Sequence, residues 1–255
     1  MSTARGFLGE GDVLFDVWDD DTQSWWNSWK PMGESSKFAI GAQSELKEKE
    51  SRGRGTRGQI IASVALLKSP EIEVVLDEVN ADNIKLAFMG TQAALVQGSG
   101  SIADQAITAK LGHWIPLGKR NFATEAFTVK SSDGVTTYTN GTDYEVNYRL
   151  GMVRPLAGGQ IADAASLKVS GAYNAVSGST VKGATKAQLR CRLLLDGRNL
   201  VDGSDAECEV FEAVLAPEGE FDFKAEDFGQ ITLKGKTVTP TGKTSPFEVR
   251  FPELT

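Results

Sequence analysis

Residues 37–48 read KFAIGAQSELKE, residues 59–67 read QIIASVALL, and the stretch KESRGRGTRG at 49–58 lies between them. One parity of the first segment is largely apolar, comprising Phe38, Ile40, Ala42 and Leu46. The other parity is polar, comprising Lys37, Gln43, Glu45 and Lys47. A period of two places these sets on opposite faces of a β-sheet, one buried and one in water. The two segments therefore predict a long β-hairpin with one apolar face.

The connection between the two strands is longer than a usual hairpin turn. Hairpins commonly close in about 2–5 residues, whereas Gly and Arg dominate this longer stretch. No hydrophobic residue lies between Leu46 and Ile60, so the loop cannot pack on its own. A flexible cationic loop on a rigid hairpin predicts a binding role. Its candidate contact residues are Glu48, Lys49, Glu50, Arg52, Arg54 and Arg57.

Charge is distributed unevenly along the chain. The net charge is −7, yet residues 47–59 carry five basic and two acidic side chains, a net of +3 that leaves −10 elsewhere. One acidic group comprises Asp12, Asp16, Asp19, Asp20 and Asp21. A second, at 203–228, comprises Asp205, Glu207, Glu209, Glu212, Glu218, Glu220, Asp222, Glu226 and Asp227. This pattern predicts self-association by complementary charge, with ordinary solvated charge as the alternative.

Length and composition indicate a globular protein. The chain has 255 residues, 40% hydrophobic and 24% charged, enough for one large domain or two small ones. No apolar run approaches the roughly 20 residues that span a bilayer, and the N-terminus lacks a signal-peptide pattern, so we expect cytosolic synthesis and no membrane partner. Cys191 and Cys208 lack a metal-binding spacing, so two buried, reduced thiols are expected, with a disulfide between neighbouring strands as the alternative.

Short strand-like segments separated by Gly, Asn, Asp and Pro turn signals predict a mainly β fold, a sandwich or barrel. One short helix is expected after Asn80, its N-cap, with Ile84, Ala87 and Phe88 as its apolar stripe and Gly90 as its stop. A weaker helical pattern covers Ser101–Lys110. The chain is predicted to form a single domain over 1–255, with a Gly/Ser/Thr-rich elaboration at about 134–186.

Catalytic and metal-binding motifs were not found in the sequence. His113 is the only histidine and has no nucleophile motif nearby, and there is no Walker A motif or GxGxxG after a strand. The acidic run Asp16–Asp21 lacks the order of a calcium loop. Asn140-Gly141-Thr142 matches a glycosylation sequon but is interpreted as a hairpin turn. We therefore expect no enzyme activity, no cofactor and no metal.

Two features leave alternatives open. Trp25, Trp26 and Trp29 form a local aromatic cluster, which fits either a loop folded onto its own core or an interface that stacks on bases or sugars or anchors a protein. The segment Arg52–Gly58 is similar to Arg-Gly tracts that bind single-stranded RNA, but it is short and lacks aromatic residues. An acidic protein patch is the better partner, because guanidinium groups pair bidentately with carboxylates.

The order of these elements resembles a known family. The sequence runs through Val13–Asp16, the strand Phe38–Glu48, the Arg/Gly loop, the strand Glu71–Glu78 and the helical segment Asn83–Gly90. In order and spacing this is similar to the major tail tube proteins of long-tailed bacteriophages. Gly141–Val146, Gly151–Val153 and Leu195–Asn199 resemble the downstream part of that family. The Trp cluster and residues 151–186 have no counterpart in the resemblance.

The resemblance implies a β-sandwich or half-barrel flanked by one helix and carrying a long hairpin with an extended loop. It implies hexameric rings that stack into the virion's tail tube, assembled in the bacterial host cytoplasm, with the hairpin loop reaching the adjacent ring. It also implies tape measure, terminator and baseplate or tip proteins as partners, and double-stranded DNA as transient cargo. Strand parity gives candidate lumen-facing acids at Glu45, Glu71, Glu73, Glu207 and Glu209. The alternative function is a β-sandwich binding module, on a virion surface or for carbohydrate, that uses the Trp cluster.

Overall fold

The computed structural model describes residues 6–20 and 22–252. Strands make up 54% and helix 3%, which confirms the mainly β prediction. The strands are β1 (Gly9–Asp19), β2 (Ser24–Trp25), β3 (Lys30–Pro31), β4 (Ser35–Glu50), β5 (Ile60–Leu76), β6 (Thr91–Gln97), β7 (Gly100–Thr108), β8 (Ile115–Pro116), β9 (Thr128–Ser131), β10 (Tyr144–Asn147), β11 (Met152–Pro155), β12 (Ser166–Tyr173), β13 (Val176–Lys182), β14 (Leu189–Asn199), β15 (Asp205–Glu218), β16 (Ile231–Thr237) and β17 (Phe247–Arg250). The helix α1 covers Ala81–Ala87.

The chain divides into two compact units. The first comprises Met1–Gln92 and Val181–Thr255, and the second comprises Ala93–Thr180. The sequence predicts one domain with an elaboration at about 134–186. That stretch falls largely within the second unit, which begins earlier, at Ala93. The chain leaves the first unit along β6 and returns along β13, and these two strands pair with each other.

One antiparallel sheet forms the frame of the first unit. Its strand order is β2-β1-β14-β15-β16-β5-β4, with β3 paired to β1 and β17 paired to β15. The core lies on one face, where Phe15, Ile72, Leu193, Leu215 and Leu233 are fully buried. Residues of β1 and β4, which lie near opposite ends of this strand order, line one cleft. Cys191 and Cys208 are free and buried, as expected.

The helix begins as its sequence predicts. The Asn80 side chain accepts a hydrogen bond from the backbone N–H of Asn83 at 2.9 Å, the usual role of an N-cap. Leu86, which the predicted stripe omits, is buried in the core of the first unit. The buried Asn83 amide donates to the carbonyls of Met32 (2.8 Å) and Glu78 (2.7 Å). Packing and these bonds hold a helix too short to persist alone.

The second unit has its own core and corrects one prediction. Its strands form the sheets β10-β11-β8 and β7-β12-β9, around fully buried Val129, Val153, Leu167 and Val169. The prediction of a weak helix over Ser101–Lys110 is wrong, because the strand β7 occupies Gly100–Thr108. The β7–β12 register shifts near Asp104, whose φ is +48°. That bulge interrupts the period of two from which a strand is recognised.

Candidate assembly interface

The predicted hairpin is present, and its two halves differ. β4 has 16 residues and β5 has 17, and they pair along their length. We call residues 35–41 and 70–76 the proximal half, and residues 42–50 and 60–69 the distal half. In the proximal half β5 also pairs with β16, through Glu71–Leu76. In the distal half β4 and β5 pair with each other alone among the described strands, so this part is a two-stranded ribbon.

Pro70 lies at the junction of the two halves. The β4–β5 register shifts between the pair Gly41–Glu71 and the pair Gln43–Lys68, which leaves an extra residue on β5. Proline cannot donate to a ladder and is tolerated where pairing is interrupted. The Thr237 hydroxyl donates to the Pro70 carbonyl at 3.2 Å, which attaches the junction to the end of β16. The ribbon therefore begins at a fixed point of the sheet.

The distal half exposes large apolar side chains. Leu67 is 85% and Leu46 is 60% exposed. Further exposed apolar residues on β5 are Ile60, Ile61, Val64 and Leu66. The alternation expected for β4 is confirmed, since Phe38 and Ile40 pack against the core. The expected burial of one whole face is wrong for the distal half within one copy, because no further strand or helix of the chain covers it in the described residues.

The two faces of the distal ribbon differ in charge. Directly paired residues of an antiparallel ladder share a face. One face carries the pairs Leu46–Ala65, Ser44–Leu67 and Glu48–Ser63, and it continues the parity of core residues Phe38 and Ile40. We call it the apolar ribbon face. On the opposite face Glu45 forms ion pairs with Lys68 at 2.9 Å and Lys47 at 3.9 Å. Covering the apolar ribbon face removes fewer charges from water than covering the opposite face, so its burial has the lower desolvation cost.

The loop at the tip of the ribbon, Ser51–Gln59, has a hydrogen-bonded conformation. The Ser51 N–H donates to the Gln59 carbonyl at 2.7 Å, and the hydroxyls of Ser51 and Thr56 are 2.8 Å apart. Gly55 and Gly58 have φ of +86° and +87°, a region that favours glycine. The mobility expected from the composition stays a prediction, whereas the described loop forms a defined turn.

The six predicted contact residues lie in two different places. Glu48, Lys49 and Glu50 form the last residues of β4, so the strand extends further than the sequence indicates. Arg52, Arg54 and Arg57 lie in the turn and are exposed. No ion pair is described for these arginines, whose guanidinium groups are available to another molecule.

The five predicted lumen acids share one face of the sheet, opposite the core. Glu71 and Glu73 alternate with buried Ile72, and Glu207 and Glu209 alternate with buried Cys208. Glu45 lies on the same side through its place on β4. Parity therefore predicts their shared face correctly, and their exposure to a lumen stays a prediction.

Cations neutralise most of these carboxylates. Lys37 donates to Glu73 at 2.6 Å, and this hydrogen bond lowers the pKa of the Glu73 carboxyl. Arg250 donates to Glu209 at 2.6 Å and lies 3.8 Å from Glu207, and the bond to Glu209 raises the pKa of Arg250. Glu71 lies opposite Lys236 across the β5–β16 ladder. The face thus carries mixed charge.

The tryptophans do not form one cluster. Trp25 pairs with Trp18 across β1 and β2, with ring centroids 5.2 Å apart and an edge-to-face angle of 76°. The Arg192 guanidinium lies 4.1 Å from the Trp25 centroid. Trp26 and Trp29 are each 40% exposed, and the Lys85 ammonium lies 5.3 Å from the Trp26 centroid. Trp25 therefore supports the folded loop, while Trp26 and Trp29 keep part of their surface in water.

Arg190 and Arg192, which lie against the rings of Trp18 and Trp25, also form ion pairs. Arg190 donates bidentately to Glu212, at 2.6 and 3.1 Å, and the hydrogen bond raises the pKa of Arg190. Arg192 lies 3.5 Å from Asp16, which is almost fully buried. Asp20 lies 3.9 Å from Lys186. Asp21, the last acid of this sequence group, lies outside the described residues.

The sequence analysis did not identify several exposed apolar residues of the first unit. The run from Ile60 to Leu67 is apolar on both parities, a signal that distinguishes it from an ordinary half-buried strand. Phe223 and Phe228 lie exposed within the second acidic group, between β15 and β16. Both lie in a stretch whose acidic composition predicts a solvated surface, so the sequence alone does not mark them as an apolar site.

Comparison with family models gives one match. The model of "Protein of unknown function UCP028589" matches residues 6–249. The chain belongs to this family. No curated protein matches the sequence. Within the described residues of this family member, no cluster of His, Cys, Asp and Glu has a metal-binding arrangement, and no helix has the length and apolarity to cross a membrane.

Proposed function

We propose that this chain is a structural subunit of a bacteriophage tail tube, which assembles with copies of itself into stacked hexameric rings through which DNA is delivered. The observation that carries this proposal is the distal half of the β4–β5 hairpin. Leu46 and Leu67 continue the parity of core residues, yet they are exposed in a single copy. An exposed apolar surface of this kind is typical of an interaction site.

The physical argument concerns the stability of a two-stranded ribbon. An isolated hairpin is marginally stable in water and needs further strands or a packing partner. The outer edge of β4 carries no partner strand among the described residues, and a long free edge invites pairing with another chain. Copies of the chain that pair and pack here would close the sheet around a ring and remove its edges.

The proposal extends to location and partners. The tube would form in the host cytoplasm and belong to the virion tail, with tape measure, terminator and baseplate or tip proteins at its ends. Double-stranded DNA would pass through as non-specific cargo. The face that carries Glu45, Glu73 and Glu209 would line the lumen. Because cations pair with these acids, the wall would hold few free cations to retain phosphate.

Negative-stain electron microscopy of the purified protein tests the proposal. We expect six-fold rings or tubes with a central channel. Analytical ultracentrifugation on the same sample measures the size distribution. Monodisperse monomers at every accessible protein concentration and salt would contradict the proposal.

A second candidate is a binding module, since Trp26 and Trp29 are each 40% exposed. Exposed tryptophan can stack on sugars or anchor a protein. In that case W26A/W29A would abolish glycan binding by a monomeric protein. Under the tail tube proposal the wild-type protein assembles and shows no such binding.

A further inference from the structure

The connection between β15 and β16 carries an exposed aromatic surface. We call residues 219–230 the aromatic segment. Phe221 and Phe223 contact each other with centroids 5.0 Å apart, and Phe223 stacks on Phe88 at 5.8 Å. This cluster attaches the segment beside the end of α1. Even so, Phe223 is 76% and Phe228 is 99% exposed. Two phenylalanines so exposed on a segment that is otherwise attached indicate a surface that another molecule covers.

Ion pairing separates this segment from four neighbouring acids of the second acidic group. Glu207 and Glu209 pair with Arg250, Glu212 pairs with Arg190, and Glu218 pairs with Lys234. The four carboxylates of the aromatic segment have no described ion pair: Glu220, Asp222, Glu226 and Asp227. With Lys224 the segment has a net charge of −3. The chain therefore neutralises much of its acidic surface internally and leaves this part unneutralised.

The loop Ser51–Gln59 is the complementary feature. Its three arginines give a net charge of +3 and, like the four carboxylates, have no described ion pair. Its internal hydrogen bonds use backbone groups and the hydroxyls of Ser51 and Thr56, so the guanidinium groups remain available. Guanidinium groups bind carboxylates as bidentate forks and also stack on aromatic rings. The aromatic segment offers both kinds of partner.

We propose that the Arg/Gly loop of one copy docks on the aromatic segment of a second copy. The arginines would pair with the four carboxylates and lie against Phe223 and Phe228. No described hydrogen bond or ion pair joins the loop to the segment within one copy. This inference rests on the proposed self-assembly and identifies the surface that receives the loop.

Charge reversal in the full-length protein tests the docking. The loop variant is R52E/R54E/R57E, and the segment variant is E220K/D222K/E226K/D227K. The matched control, E10K/D12K/E125K/D196K, changes the net charge as much as the segment variant does, at exposed acids with no described ion pair. Sedimentation velocity measures the concentration at which each protein assembles. We expect that concentration to rise at least about tenfold for the loop and segment variants and to stay near wild type for the control.

An equimolar mixture of the loop and segment variants should recover assembly, because the reversed charges are again complementary. F223S/F228S, which changes two exposed side chains and leaves charge intact, should also weaken assembly. Circular dichroism melting of each variant checks that the fold is retained. Wild-type assembly together with unchanged assembly of the segment variant and of F223S/F228S would overturn the docking and leave the proposed function standing. A wild-type protein that never assembles would overturn both.

Discussion

The proximal and distal halves of one hairpin have opposite environments. On β5, Leu76 is fully buried and packs in the core, whereas Leu67, nine residues before it, is 85% exposed. The alternation on β4 is the same in both halves, but a third strand and the core cover only the proximal half. Strand pattern alone therefore determines which face is apolar, while the neighbouring elements determine whether that face is buried. The distal half has the sequence of a buried strand without its neighbours.

Truncating a leucine in each half should produce the largest difference in stability. Leu76→Ala removes fully buried atoms from the core and should cost about 2–5 kcal/mol of unfolding free energy. Leu67→Ala should change the unfolding free energy of the dilute monomer by less than about 0.5 kcal/mol. Urea denaturation of both variants below the assembly concentration measures this. Equal losses would mean that the distal half is already buried within one copy.

Polar substitution of the apolar ribbon face should weaken assembly rather than folding. L46S/L67S removes two side chains whose burial contributes about 1.5–3 kcal/mol each, so assembly should require at least about tenfold more protein. The matched control V64S/L66S changes the opposite face, beside the Lys47–Glu45–Lys68 ion pairs. Sedimentation velocity should show a smaller effect for the control. If the control is the more damaging variant, the buried face is the charged one.

Lowering the pH should reduce the stability that the protein gains from a buried, hydrogen-bonded carboxylate. Asp143 of the second unit is almost fully buried and accepts hydrogen bonds from the backbone N–H groups of Thr139 and Gln160, each at 2.8 Å. These bonds lower the pKa of Asp143 in the folded state. Its stabilising contribution is therefore complete above the unfolded-state pKa of about 4 and is lost as the pH falls through the lower folded-state value.

Thermal melting of the full-length protein at a series of pH values from 7 to 2 measures this dependence. NMR signals of the core methyl groups of the second unit monitor the unfolding of that unit. The variant Asp143→Asn, which cannot ionise, should begin less stable at pH 7 and lose less stability on acidification. If the melting temperatures of the variant and the wild type fall in parallel as the pH is lowered, groups other than Asp143 cause the acid sensitivity.

Neutralising the loop should have the smallest effect on the monomer. R52S/R54S/R57S removes three exposed charges with no described ion pair, so the unfolding free energy should change by less than about 0.5 kcal/mol. Assembly at low salt should weaken, and the difference from wild type should narrow as salt screens the charges. Light scattering across a salt series measures this. Equal assembly of both proteins at every salt concentration would exclude a role for loop charge.

Local sequence signals predicted much of the first unit. The β4 alternation, the Asn80 cap and the turn residues act over a few positions, so they can be recognised without the fold. The length of β4 through Glu50 and the joining of β5 across Pro70 depend on pairing between distant segments. The bulge at Asp104 likewise prevented recognition of β7 as a strand, because one extra residue disturbs the period of two.

The candidate site was predicted in part for similar reasons. The three loop arginines and the shared face of the acids follow from composition and parity. The ion pairs that neutralise Glu73, Glu209 and Glu212 depend on cross-strand neighbours, which the sequence does not reveal. For the same reason, the sequence could not separate the unpaired acids of the aromatic segment from the rest.

Hydrogen exchange of the distal hairpin tests the central claim most directly. Amides on the free outer edge of β4, within residues 42–50, should exchange rapidly in the dilute monomer and at least about tenfold more slowly in assembled particles. Amides of β14 and β15, already paired in one copy, should change little and serve as the internal reference. Assembled particles whose distal amides exchange as they do in the monomer would contradict the claim that this ribbon is the interface between copies.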